Sequence, residues 1–121
     1  MVILFDQFNL PESIYEVVFA TEQQKVVGEL LIHYIKEKGG SVNKAEMSSF
    51  ATDLHEGKIK HEGKSISYNK RQFYDRILTP MKGMGLVSYH MYKRTYSLSK
   101  NFVDALQRIG EMWVKEHDTK L

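Results

Sequence analysis

The sequence predicts a mainly α-helical fold carrying one small β-hairpin, of the α+β class. Apolar residues recur at helical spacing through most of the chain, and capping residues precede most of these runs. One stretch, Leu86 to Leu98, instead alternates and is rich in β-formers. The composition, 42% hydrophobic and 26% charged over 121 residues, is globular and sufficient for one self-contained core. Cysteine is absent, which excludes disulfides, cysteine zinc sites and a thiol nucleophile. The apolar run Met1 to Phe5 is too short for a signal-peptide core or a membrane span, so a cytoplasmic protein is expected.

Asn9-x-x-Glu12, with Pro11 in the first turn, reads as the start of a short helix over 11–20 that carries Ile14, Val17 and Val18. Thr21-x-x-Gln24 opens a longer helix over 21–38. Its apolar face is Val26, Val27, Leu30, Leu31, Tyr34 and Ile35, and Gly39-Gly40 stops it after Lys36 and Lys38. The two segments are either separate helices or one kinked helix. Ser41-Val42 fits a very short strand. Asn43-x-x-Glu46 then caps a helix with Met47, Phe50, Ala51 and Leu54 on one face and Gly57 at its end.

Residues 58–66 are basic and aperiodic, a loop or a small hairpin turning at Glu62-Gly63. Ser67 is the expected cap of the next helix, over 67–82, which carries Phe73, Ile77 and Met81 at spacings of four. Pro80 should kink or close it, and Gly83 and Gly85 should terminate it. Leu86 to Tyr92 and Thr95 to Leu98 form a hairpin interrupted at Lys93-Arg94. Ser99 caps a last helix expected to bury Phe102, Val103, Leu106, Ile109 and Trp113. The division expected is an N-terminal extension over 1–20, a main domain over 21–115 and a fraying polar tail over 116–121.

Net charge is only +2, but it is unevenly placed. Between Lys58 and Lys100 stand ten Lys/Arg against two acids, Glu62 and Asp75, a net of +8; the rest of the chain has seven bases and thirteen acids, a net of −6. Positive charge concentrated in one third of a chain suggests a polyanion-binding face. The bland reading is a solvated surface whose charges scatter in space.

The order helix, short strand, helix, loop, helix, hairpin, helix over 21–113 resembles the winged-helix form of the helix-turn-helix DNA-binding fold. Its most telling stretch is Ser67 to Val87, where a basic helix ends at Gly85-Leu86-Val87 and passes straight into a hairpin. The return strand then leads into a capped helix at Tyr96-Ser-Leu-Ser-Lys-Asn-Phe102. No motif specific to one winged-helix family is present. The ten residues 57–66 are a departure, since the corresponding turn is usually short. Lys58, Lys60 and Lys64 make that insertion a candidate extra DNA contact.

The resemblance implies a double-stranded DNA-binding protein and a transcription regulator, with helix 67–82 in the major groove and the wing (86–98) on the adjacent backbone or minor groove. Taking Ile77 as the centre of the buried face, about 100° per residue puts Tyr68, Arg71, Gln72, Asp75, Thr79 and Lys82 opposite it. Arg71 can bridge guanine O6 and N7, and Gln72 can pair adenine N6 and N7. Asp75 can accept from a cytosine amine or position Arg71. Asn69 opens this stretch, Lys70 and Arg76 on its flanks suit phosphates, and the hydroxyls of Tyr68 and Tyr74 suit phosphate or sugar. Lys93 and Arg94 occupy the wing tip.

One recognition helix reads few base pairs, so a homodimer is expected. The apolar run Val2 to Phe5, Phe8 and the last helix are its natural surfaces, unless they close the monomer's own core. A dimer neutralising about six to eight phosphates predicts a slope of log K against log salt of about −5 to −7.

Competing motifs are weak. Gly57-x5-Gly63-Lys64-Ser65 has one residue too many for a phosphate-binding P-loop and follows a helix. His55 and His61 suggest no metal site with the required spacing, and no serine sits in a nucleophile elbow. Neither an enzyme nor a cofactor is expected. The alternative reading is a winged-helix protein–protein interaction module. A weaker third is single-strand binding through Tyr89, Tyr92 and Tyr96; cross-strand packing is the simpler account of those tyrosines.

Overall fold

In the computed structural model, which describes residues 6–121, the chain folds as predicted in class: helices with a small antiparallel sheet. The apolar run Val2 to Phe5 lies outside the described residues. The first helix begins later than Asn9-x-x-Glu12 implied. Asn9 closes a tight turn, its N–H donating to the Asp6 carbonyl at 3.0 Å. Helix α1 spans only Ile14–Val18, with Ser13 at its N-cap. Extended residues at Phe19 and Thr21 separate it from α2 (Glu22–Glu37), so these are two helices.

The segment up to residue 20 is less of an appendage than its composition suggested. Phe19 is buried, and Tyr15 and Val18 pack on the core beside it. The Phe19 ring lies so close over Gly28 of α2 that a Cβ there would collide with it. Thr21 caps α2, its hydroxyl accepting the Gln24 N–H at 3.2 Å. Val27, Leu31 and Ile35 turn fully inward, and Gly39 and Gly40, both at positive φ, end the helix.

Strand β1 (Ser41–Asn43) leads into α3 (Lys44–His55) through a complete capping box. The Asn43 Oδ1 accepts from the Glu46 N–H at 2.7 Å, and the Glu46 carboxylate accepts from the Asn43 N–H at 3.0 Å. Both orphan donors are thus satisfied by residues three apart. Asn43→Ala is expected to cost about 1–2 kcal/mol in a urea melt, with the fold otherwise intact; an unchanged midpoint would show that the cap contributes nothing. Met47, Phe50, Ala51 and Leu54 bury the face expected of them.

Residues 58–66 are a hairpin, β2 (Ile59–His61) and β3 (Lys64–Ile66). Its turn is Glu62-Gly63, both at positive φ, which suits a type I′ connection. Ser67 is not a helix cap. Its hydroxyl donates to the His55 carbonyl at 3.2 Å, and Asn69 caps the next helix instead by accepting the Gln72 N–H at 3.0 Å.

That helical run has three parts: α4 (Lys70–Gln72), a π-turn (Phe73–Leu78) and α5 (Thr79–Met84). Pro80 neither ends nor breaks it. A proline cannot donate to the preceding turn, and its ring crowds the carbonyl four residues back. The wider turn before it accommodates both, with the Thr79 N–H donating to the Tyr74 carbonyl five residues back. The π-turn also places Phe73, Ile77 and Leu78 together inside. Gly83 is an ordinary member of α5 and not its stop; Gly85, at φ 87°, is the left-handed C-cap.

Strands β4 (Val87–His90) and β5 (Thr95–Leu98) form the second hairpin, with residues 91–94 as its turn. The sheet order is β1-β5-β4, antiparallel throughout, with Val42 and Tyr89 flanking Tyr96. The core lies between α2, α3, the run 70–84 and this sheet. Tyr34, Phe50 and Phe73 pack in sequence, with ring centroids 4.8 and 5.6 Å apart.

Helix α6 (Asn101–Asp118) departs most from expectation. Ser99 is not the cap: the N-cap is Lys100, which makes no side-chain cap bond, and the Ser99 Oγ accepts the Asn101 N–H at 3.1 Å from one residue further upstream. None of the helix's residues is buried; Phe102 is half-buried and everything from Val103 onward is exposed. Among the described residues the apolar stripe does not enter the core, and α6 is anchored where its first turn crosses Gly85. The helix also continues past Glu116 to Asp118, where a frayed tail was expected. Among the described residues, no helix is long and apolar enough to cross a membrane.

Candidate nucleic-acid interface

The outward side of the run 70–84 carries Arg71, Gln72, Asp75, Arg76, Thr79 and Lys82, all exposed. The Arg71 Nε lies 3.8 Å from the Asp75 carboxylate one turn later, a loose and solvent-exposed ion pair. Lys82 reaches back over the Tyr96 ring, with its Nζ 6.0 Å from the centroid. Tyr74 is half-buried with its ring edge-on to Phe73.

Three expected contact residues are employed differently. Tyr68 is buried, because it precedes the helix and its N–H donates to the Leu54 carbonyl at 3.1 Å, tying it to the end of α3. A helical wheel does not apply to it. Asn69 spends its side chain on the cap. Lys70 turns along α3, its Nζ 2.9 Å from Thr52 Oγ1 and 3.4 Å from Ser48 Oγ. Its backbone N–H donates to the His55 Nδ1 at 3.1 Å, which gives that histidine a structural use.

The turn 91–94 places Lys93 and Arg94 against the start of α3. Both line a shallow groove with Asn43, Lys44, Ala45 and Ser48. The Lys44 N–H donates to the Arg94 carbonyl at 2.9 Å, fixing this join. Ser48 therefore borders Lys93 and Arg94 on one side and Lys70 on the other. A strip of polar and cationic side chains runs from the hairpin tip, along α3, to the start of the run 70–84.

The inserted hairpin is organised separately. His61, Ser65 and Ile66 face Glu22, Gln23 and Val26 at the start of α2. Lys58 is paired with Glu56 at 2.8 Å, an exposed contact that lowers the carboxyl's pKa and raises the ammonium's. Lys60 and Lys64 are exposed on its two strands. Of the hairpin tyrosines, Tyr96 is buried and Tyr89 stacks on it at 4.7 Å, the cross-strand arrangement; burial also raises the Tyr96 hydroxyl's pKa. Only Tyr92 stands fully free.

No family model, curated protein or solved structure matches this chain. The interface therefore rests on its own geometry.

Lys44 and Ser48 were not singled out from the sequence, since they fall outside the +8 segment. The available signal was positional. Lys44 is the first helical residue after the N-cap Asn43, which is also the last residue of strand β1, so any strand pairing with β1 must pass close to it.

Proposed function

We propose that this chain is a winged-helix protein that binds double-stranded DNA and acts in transcription regulation. The observation that carries the reading is the strip joining Lys93 and Arg94 to Lys44, Ser48 and Lys70, beside the exposed face of Arg71, Gln72, Asp75 and Arg76. The sheet order β1-β5-β4 supports the fold assignment, since it sets a two-strand wing beside the strand that precedes α3. A helix fits the major groove, and donors near its N-terminal end reach base edges. Arg71 and Gln72 are the base readers in this reading. Arg76 and Lys82 meet phosphates on the flanks, while Lys44, Lys93 and Arg94 meet the backbone beside the wing.

The test is fluorescence anisotropy with a random-sequence duplex, titrated across salt. Binding should weaken steeply, with a log–log slope of about −5 or steeper, because each neutralised phosphate releases condensed counterions. A duplex competitor should displace better than a single strand, since Tyr89 and Tyr96 are occupied with each other. Absence of binding at low salt would overturn the proposal and leave a protein partner as the alternative.

A further inference from the structure

The turn of the second hairpin, residues 91–94, carries side chains that the fold does not use. Tyr92 is fully exposed and Met91 is 78% exposed, just beyond the last strand pair, His90 with Thr95. The other two tyrosines of this hairpin behave differently, Tyr96 being buried and Tyr89 stacked on it. The segment is also poorly suited to be a turn. It contains no glycine or asparagine, and its left-handed position falls on Arg94, at φ 50°. A side chain is strained in that region. The conformation is kept by the Lys44 N–H, which donates to the Arg94 carbonyl at 2.9 Å. Turn chemistry set aside at one point, with strain held in place by the surroundings, is typical of a working surface.

Position supplies the use. Lys93 and Arg94 line the groove with Asn43, Lys44 and Ser48, so cations stand directly beside the free ring. In the DNA-binding reading, on which this inference rests, Lys93 and Arg94 meet the duplex backbone next to the wing. Neighbouring Cα atoms are about 3.8 Å apart, so Tyr92 arrives at the groove edge with them. The minor groove, about 6 Å wide, excludes a helix but admits a flat ring or a thioether chain. Apolar side chains inserted there part neighbouring base pairs and kink the duplex. A protein partner is a poorer match, since two side chains fall far short of the roughly 800 Å² that a specific interface buries on each side.

We propose that Tyr92, with Met91 beside it, is a wedge that enters the minor groove, unstacks a base step and bends the duplex. Its contribution differs in kind from that of Arg71 and Gln72. Those side chains address base edges in the major groove, whereas the wedge selects steps that open easily, such as TA and CA.

The test measures binding and bending separately on the full chain. Affinity is read by fluorescence anisotropy on a random-sequence duplex. Bending is read, at saturating protein, by ligase-catalysed ring closure of a fragment of about 120 bp, shorter than the persistence length of about 150 bp. A further duplex carries 2-aminopurine in place of adenine at its TA steps, and its emission rises when that base unstacks. The parent protein should speed ring closure at least about tenfold and brighten the 2-aminopurine. Tyr92→Ala should lose both effects while keeping affinity within about tenfold, because the cations remain. Tyr92→Phe should keep both, since the ring does the unstacking. Neither variant should alter the urea melt, because the side chain is fully exposed. Duplex binding by the parent with no gain in ring closure or emission would overturn the wedge and leave the DNA-binding reading standing. So would a Tyr92→Ala protein that closes rings as fast as the parent. No duplex binding at low salt would overturn both.

Discussion

Gly85→Ala is expected to lower stability by about 3–5 kcal/mol, a drop in Tm on the order of 10–20 °C for a domain of this size. Two effects combine. Position 85 sits at φ 87°, where a side chain costs about 1–2 kcal/mol. The added Cβ would also lie 2.7 Å from the Phe102 nitrogen and 2.9 Å from the Asn101 carbonyl carbon. Both are backbone atoms, so relief requires moving α6 or the start of β4. The displacement would reach the Leu86 N–H, bonded at 2.9 Å to the Met81 carbonyl, and the Ser99 N–H, bonded at 2.9 Å to the Leu86 carbonyl. Gly83→Ala is the control. It lies two residues earlier, inside α5, with open space around its Cβ position. It should be neutral or stabilising by up to about 1 kcal/mol through helix propensity. Equal melting curves for the two variants would show that Gly85 is not the joint described.

The double charge reversal Arg71→Glu with Lys93→Glu should reduce duplex binding by at least about a hundredfold while leaving the melting curve within ~0.5 kcal/mol of the parent. Both side chains are exposed, and the Arg71 side chain is 91% accessible, so no packing is lost. The reversal at position 71 also sets a carboxylate opposite Asp75, adding repulsion where DNA brings more negative charge. The two single variants should behave differently. Lys93→Glu, at a phosphate contact, should weaken all sequences alike and flatten the salt slope. Arg71→Glu should also erode discrimination between sequences. Full affinity in a folded double variant would remove the proposed interface.

Elements set by neighbours in the chain were legible before the structure. The Asn43-x-x-Glu46 box, the Gly39-Gly40 stop and the Lys93-Arg94 turn are all local chemistry, satisfied within a few residues. The Glu62-Gly63 turn was legible too, although short strands of mixed polarity gave it little support. Tyr68 was misplaced because a wheel assumes that the helix has already begun. The π-turn left a trace that went unread. Phe73, Ile77 and Met81 recur every four residues, a longer period than the 3.6 of a regular helix, and Pro80 follows. The α6 stripe was recognised, but burial depends on what lies opposite, and no local pattern records that. The same limit hid Lys44 and Ser48, which reach the strip only because β1 pairs with β5.

Strand β5 is bonded on both sides, to β1 along Thr95–Ser97 and to β4 along its whole length. Such a strand cannot hinge, so the turn it carries is clamped at the root. The Lys44–Arg94 bond braces the far side of that turn as well. Ordering a free backbone residue costs about 1–2 kcal/mol, and for these residues that loss has already occurred in folding. A partner meeting Lys93 and Arg94 therefore encounters a preformed edge, with only the side-chain rotors left to quench. Binding there should carry a small entropic penalty, and loosening β1 from β5 should weaken it without touching a single charge.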